Sequence, residues 1–351
     1  MNVDKKNTIE YDSIEQYYEK SIINNDPSLA AQCLKIAAIY NHSLYIEYTK
    51  NLFKKFPNDL NINWHIVKIL REIGKPHESL MVLQKINKPN EYLWWSNALK
   101  NYLLINDKNL AVKCGERIFD LIFKNNNIIL PKKYIKTSNT EEFKEGKNNY
   151  ISFSLFGKSK RYGEGVIDNI KKYSQYLPKW KIIVYIDSNY DKELKEEISQ
   201  KAIVINKKNF AKYDGLFWRY EAFSLKDAFR VLIRDADSIP SEREIDGIRS
   251  WINSGYKYHI IRDHIEHAEL ILAGLFAGIV GELRINKPPA GLNYYENRWI
   301  DQEYLRANIY KKIMHSVYVN DEFYKIELTS EKISNEIIWL EDNHIGARKY
   351  R

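Results

Sequence analysis

The feature that most constrains this chain is a change of hydrophobic period part-way along it. From about 27 to 125 the apolar residues recur with helical spacing and fall into pairs. Pro27-Ser28 opens a helix carrying Ala30, Ala31, Leu34, Ala37, Ala38 and Ile39, and after Asn41-His42 a second runs through Leu44, Tyr48, Leu52 and Phe53 to Pro57-Asn58-Asp59. The next pair, Ile62 to Ile73 and Ser79 to Ile86, is split by Gly74-Lys75-Pro76 and closed by Pro89-Asn90. A third, Tyr92 to Ile105 and Leu110 to Phe123, bends at Asn106-Asp107. Residues 1–25 read as a frayed or helical lead-in.

Pro57 and Pro89 lie 32 positions apart, and the break Gly-Lys-Pro-x-Glu-Ser-Leu with its following Pro-Asn resembles tetratricopeptide repeats. Gly74 and Pro89 fit that consensus, while the other two pairs lack the internal glycine. Three stacked hairpins can bury one continuous core. Such a domain, residues 1–125, serves either as a groove for a protein partner or self-association, or as a helical appendage that stabilises the rest of the chain. Trp94 and Trp95 read as packing residues.

Residues 126–149 are rich in Asn, Lys and Glu and read as a linker. Beyond it, in 150–351, strand and helix patterns alternate. Tyr150 to Phe156 is a strand, Gly157 to Gly165 a polar turn, and Val166, Ile170, Tyr173 and Leu177 mark a helix. Lys181 to Asp187 is a buried strand, then come a helix (Leu194 to Ile198), a short strand (Ala202 to Ile205) and a helix from Trp218 to Phe229. This alternation predicts an α/β domain with a mostly parallel sheet, whose ligands bind beyond the carboxyl ends of the strands.

One strand ends in chemistry. Val231-Leu232-Ile233-Arg234 runs into Asp235-Ala236-Asp237-Ser238, then Ile239-Pro240. Because side chains alternate along an extended chain, Asp235 and Asp237 are expected to project the same way from the strand exit. Two such charges repel unless a cation or proton sits between them, and their hard oxygens suit Mg²⁺ or Mn²⁺ with positions left for phosphate. A solvated turn is the plain alternative.

These residues resemble a GT-A-fold glycosyltransferase of the glycogenin and bacterial galactosyltransferase type, over roughly Tyr150 to the C-terminus. Phe217-Trp218-Arg219-Tyr220 ahead of the apolar strand and Asp-Ala-Asp, the pair Asp301-Gln302, and His344-Ile345-Gly346-Ala347-Arg348-Lys349 carry the likeness. The last motif departs by one residue between His and Gly and lacks the usual tryptophan after the lysine. The resemblance implies a metal-dependent transferase acting on a nucleotide-diphosphate sugar, UDP first among nucleotides, with a glycan, lipid or protein acceptor. It implies Asp237 and His344 as ligands of Mn²⁺ or Mg²⁺, Asp235 on that metal or on the ribose, Lys349 on the diphosphate, and Asp301 and Gln302 beside the sugar, with retention preferred. Lys158, Arg161, Asp187 and Arg219 are further candidates for the nucleotide or phosphates; Arg219 alternatively pairs with a carboxylate on its own helix, and Asp301 alternatively caps a helix over Gln302–Ile313.

His259, Asp263, His264 and His267 form a local cluster. Zinc would want a further ligand at matched spacing and no cysteine is near, so the stretch reads as a sugar-binding segment. The glycines of Ala273 to Gly278 suit close approach of a ligand or tight packing.

Aromatic content of 13% argues against disorder, and the net charge of +8 is spread along the chain, which argues against a nucleic-acid partner. Cys33 and Cys114 sit in helical patterns as buried free thiols. The polar start and the lack of a long apolar run predict an intracellular, cytoplasmic protein with no transmembrane segment, free or peripheral to a membrane. Two competitors remain: a haloacid-dehalogenase-like phosphotransferase, whose nucleophilic Asp belongs on the first strand, and a non-catalytic repeat scaffold.

Overall fold

The computed structural model describes residues 4–137, 140–281, 283–286, 288, 297–333 and 344–347. The chain divides into two compact units, Met1–Leu121 and Ile122–Arg351.

In the first unit, short polar side chains set where helices begin. Asp26 accepts amide hydrogen bonds ahead of α2 (Pro27–Tyr40), Asn41 ahead of α3 (His42–Lys55) and Asp59 ahead of α4 (Leu60–Glu72), each satisfying donors that have no partner inside the helix. They follow α1 (Asp4–Ile23) and lead to α5 (Pro76–Ile86), α6 (Tyr92–Leu104) and α7 (Lys108–Asn126). Gly74 at φ +74° reverses the chain between α4 and α5. Cys33, Leu34, Tyr45, Leu52, Ile62 and Ile69 share one core, and burial pushes the Cys33 and Cys114 thiols up to about 12. The indole N–H groups of Trp94 and Trp95 donate to the carbonyls of Leu83 and Pro89, as packing residues do.

The second unit is built on one sheet of eight strands among the described residues, in the order β3-β2-β1-β4-β6-β5-β7-β8. These are β1 (Asn148–Leu155), β2 (Lys181–Asp187), β3 (Ile203–Lys207), β4 (Ala228–Arg234), β5 (Tyr258–Arg262), β6 (Leu275–Ile279), β7 (Val317–Asp321) and β8 (Ser330–Glu331). All neighbours are parallel except β6, which runs antiparallel to β4 and β5. The exits of β1 and β4 therefore open on one edge of the sheet, beside the start of β6, where Arg234 pairs with Leu275. Helices α8 (Lys160–Tyr176), α9 (Lys192–Ser199) and α10 (Glu242–Ser254) join the core with Val166, Ile170, Ile198, Ile248 and Trp251. Among the described residues no helix is long and apolar enough to cross a membrane.

Several local expectations change. The polar turn after β1 is short, because α8 begins at Lys160; Arg161 is helical and Lys158 stays in the turn. The helix expected over Trp218 to Phe229 is instead a 3-10 segment, Asp214–Ser224. Its backbone is held from β1: Ser152 Oγ donates to the Arg219 carbonyl at 2.7 Å, and the Arg219 amide donates to Ser154 Oγ at 2.9 Å. Side chains of the sheet take the place of α-helical partners. Phe217, Trp218, Tyr220 and Phe223 are all buried, while Glu221 and Ser224 stay exposed. The helix expected over Gln302–Ile313 begins at Ile300 and contains a π turn, Leu305–Ile309, between α11 (Ile300–Tyr304) and α12 (Tyr310–Ile313). Residues expected to form a linker are bonded into this unit: the Ile135 amide reaches the His315 carbonyl, and Glu142 accepts from the Trp180 indole.

Candidate active site

Strand β4 ends at Arg234, and Asp235, Ala236 and Asp237 form the turn after it. The alternation of a strand does not extend to them, and the two carboxylates differ: the Asp235 side chain is 50% exposed, that of Asp237 only 11%. Small residues let neighbours press on this turn. A Cβ on Gly165 of α8 would stand 2.2 Å from the Ala236 carbonyl, and one on Gly274 would stand 2.1 Å from Asp235 Oδ2. Asn169 Nδ2 donates to both the Gly165 and Ala236 carbonyls, at 2.9 and 3.2 Å, clamping helix to turn.

Arg219 is the hub. It is 4% exposed, donates through Nη1 to Asp235 Oδ1 and the Arg234 carbonyl, and through Nη2 to Asp301 Oδ2 at 2.8 Å. Burial alone would lower its pKa, but Tyr220, Asp235 and Asp301 outweigh this and hold it well above the ordinary value. Asp301 is buried, and that burial, opposed by Arg219, raises its carboxyl above the usual range. The carboxylate partner expected on Arg219's own helix is not what forms: both partners, Asp235 and Asp301, come from other segments of the chain. Arg234, one residue before the aspartates, faces the other way into a fully buried pair with Glu244 at 2.6 Å, and Tyr173 also donates to Glu244.

A cavity of about 510 Å³ lies over the exits of β1 and β4. Lys158, Arg219, Asp235, Asp237, Asp301 and Gln302 line it. Arg161 stands behind this lining, 3.6 Å from Asp237 Oδ2 and over the ring of Tyr162. Asp187, at the end of β2, is not among the lining residues; it accepts from the Asn189 amide at 3.0 Å, as a strand-end turn does. Gln302 reaches Glu269, which Arg306 grips through two nitrogens. Lys349 lies outside the described residues.

His344 does not join the two aspartates. Among the described residues, the three-ligand group that forms around it is His264, His267 and His344, with one ligand atom from each lying within 4.8 Å of the others. His259, grouped with these by sequence, belongs to the core: it stacks on Trp251 at 5.5 Å and hydrogen-bonds Asn320. Burial pulls its pKa down to about 3.

Sequence reasoning passed over Ser159, Tyr162, Lys212, Tyr213, Arg298 and Trp299, which also line the cavity. They sit in loops or first turns, where no periodicity marks them. Trp299 carries one usable signal, a tryptophan just before Asp301, and it is 62% exposed at the cavity.

No family model matches the sequence, and no curated protein matches it. Among solved structures, an O-GlcNAc transferase variant from Thermobaculum terrenum is similar at a TM-score of 0.37 and 7% identity, over 73% of this chain and 50% of that one. The chain thus spans about half the length of that structure.

Proposed function

We propose that the second unit is a GT-A-type, metal-dependent glycosyltransferase that takes its sugar from a nucleotide-diphosphate donor, UDP being the nucleotide. The observation that carries this reading is the chain of contacts Asp235–Arg219–Asp301 on the wall of one cavity. It links the carboxylates at a strand exit to the residue pair expected beside the sugar. The cavity volume lies in the range of ordinary small-ligand sites, about 300–1,000 Å³. The phosphotransferase alternative is less favoured, since its nucleophilic Asp belongs on a first strand and Asp235 comes after the fourth.

Asp235 and Asp237 fit a hard divalent ion: both offer carboxylate oxygens to the same cavity. Mn²⁺ or Mg²⁺ bound there supplies countercharge for the diphosphate that leaves. Lys158 adds positive charge from the β1 turn. Arg161 neutralises Asp237 from behind and keeps it in place. Arg219, committed to two carboxylates, acts by position: it fixes Asp235 and keeps Asp301 close to the reacting end. Asp301 and Gln302 would meet the sugar. Retention of configuration is preferred, with Gln302 near the anomeric carbon; in an inverting enzyme Asp301, its pKa raised by burial, would accept the acceptor's proton. Trp299 at the rim offers an apolar face to an acceptor sugar. The helical unit is proposed to recruit a protein partner or a second copy.

The test is hydrolysis or transfer across a panel of nucleotide sugars with Mn²⁺, Mg²⁺ and chelator. Turnover that needs the ion and falls in Asp237→Ala supports the reading. Full activity in chelator, or phosphatase activity without nucleotide-sugar binding, overturns it.

A further inference from the structure

We infer that His264, His267 and His344 bind one first-row transition-metal ion of the zinc class, with its open coordination position on the cavity. This rests on the histidines and not on the sugar-transfer reading. It is also distinct from the carboxylate pair, which offers only oxygen.

The convergence is made by the fold. His264 and His267 sit in the connection from β5 to β6, and His344 arrives from the far end of the chain. The three ligand atoms lie within 4.8 Å of one another. Zinc held by nitrogens at 2.0–2.1 Å in a tetrahedral arrangement needs them about 3.3 Å apart, so side-chain adjustment of roughly an ångström closes the set. The rings are already in contact: His344 stacks on His264 at 4.3 Å between centroids and meets His267 edge-on at 4.8 Å.

A carboxylate organises the group from behind. Asp263 Oδ1 lies 3.6 Å from His267 Nδ1, the second-layer partner that steadies a ligating imidazole and leaves Nε2 for a metal. Among the described residues neither of those two atoms has a hydrogen-bond partner. Asp263 Oδ2 accepts the Ile345 amide at 2.9 Å, so the same side chain fastens the segment that carries His344. Ile345 is buried against Ile261 and Leu275, a second anchor for that segment. His344 Nδ1 lies 2.8 Å from the Ile345 carbonyl, a contact that sets the orientation of its ring. His264 Nδ1 accepts the Glu266 amide at 3.3 Å, a long bond that a metal-bound tautomer would give up.

The donor set then selects the ion. Three imidazoles suit zinc and its neighbours, whereas Mg²⁺ and Ca²⁺ require oxygen. His267 and Gly346 line the cavity, so a fourth position would face whatever occupies it. Three protein ligands with one open position is the arrangement of reactive zinc sites.

The experiment uses the full chain, stripped with chelator and titrated with Co²⁺ and then Zn²⁺. The expected result is one Co²⁺ with the visible absorption of a four- or five-coordinate nitrogen site, displaced by stoichiometric Zn²⁺. His344→Ala and His267→Ala should each weaken binding at least 100-fold, and Asp263→Asn by about 10- to 100-fold. His344→Ala is the decisive variant, because it lies near the chain end rather than in the core, and circular dichroism checks its fold. Asp237→Asn should leave the Co²⁺ spectrum unchanged. A wild-type chain without that spectrum, a His344→Ala chain that keeps it, or its loss in Asp237→Asn each overturns the inference. The readout needs no nucleotide sugar, so failure of the transferase reading is scored separately.

Discussion

The two walls of the cavity handle charge in opposite ways. On the β4 side carboxylates and guanidinium groups are already paired: Asp235 with Arg219, Asp237 with Arg161, and Asp301 with Arg219 again. On the β5–β6 side three imidazoles crowd together, and burial, then its neighbours, hold the His267 pKa below the ordinary value. A preorganised ionic wall stabilises charge that develops in a reaction, because its dipoles need not reorganise. A nitrogen wall holds lone pairs ready for a cation. Carboxylate oxygens and imidazole nitrogens thus stand at separate places beside one cavity, His267 being the imidazole that lines it among the described residues.

The largest effect should come from the ionic wall. Asp237→Ala should lower turnover roughly 10²–10³-fold in steady-state assays while Co²⁺ binding by the histidines persists. Equal loss of both would merge the two walls into one site. Behind the same wall, Arg234→Met should destabilise the second unit by about 3–5 kcal/mol in chemical denaturation, because Glu244 would be left buried and unpaired. The double change Arg234→Met with Glu244→Leu should recover much of that loss. If it does not, the pair fixes the β4 exit rather than merely balancing charge.

Next comes Gly274→Ala. The new methyl group would stand 2.1 Å from Asp235 Oδ2, so the carboxylate must move. A displacement near 1 Å predicts about a 10²-fold fall in kcat/KM at nearly unchanged stability. Unchanged activity would free Asp235 from any positional role.

Acid tests the other side. His259 on β5 has its pKa pulled down by burial to about 3 in the folded protein, from an ordinary 6.5. Between those values the unfolded chain binds the extra proton and the folded chain does not. Stability is therefore lost as pH falls through this window, at up to about 1.4 kcal/mol per pH unit. His259→Gln should flatten that slope in denaturation measured from pH 7 to 4; an unchanged slope would show that other groups govern acid sensitivity. The smallest effect expected is Trp299→Ala at the rim, raising KM for a sugar acceptor roughly twofold to tenfold with kcat held. A fall in kcat alone would move Trp299 from acceptor binding to chemistry.

Much of the framework was legible because it is local. Pro27-Ser28, Asn41-His42 and Pro57-Asn58-Asp59 mark where helices start and stop, and Gly74 marks a break. The run Val231 to Arg234 could be recognised as a strand, and the cavity did form at its exit. Local pattern misled at Trp218, where apolar spacing suggested an α-helix. There Ser152 and Ser154, far off in sequence, satisfy the backbone and stabilise a tighter coil.

What the sequence determined by itself was the change from helical hairpins to an α/β sheet and the strand that ends at Asp235. Periodicity, caps and breakers act over a few residues, so they survive in a linear reading. Only the tertiary structure decided the partners. Arg219 bridges Asp235 and Asp301, Asp263 fastens Ile345, and His344 meets His264 and His267. Such meetings depend on strand order and on burial that makes an unpaired charge costly. Neither is encoded in the spacing of the residues concerned.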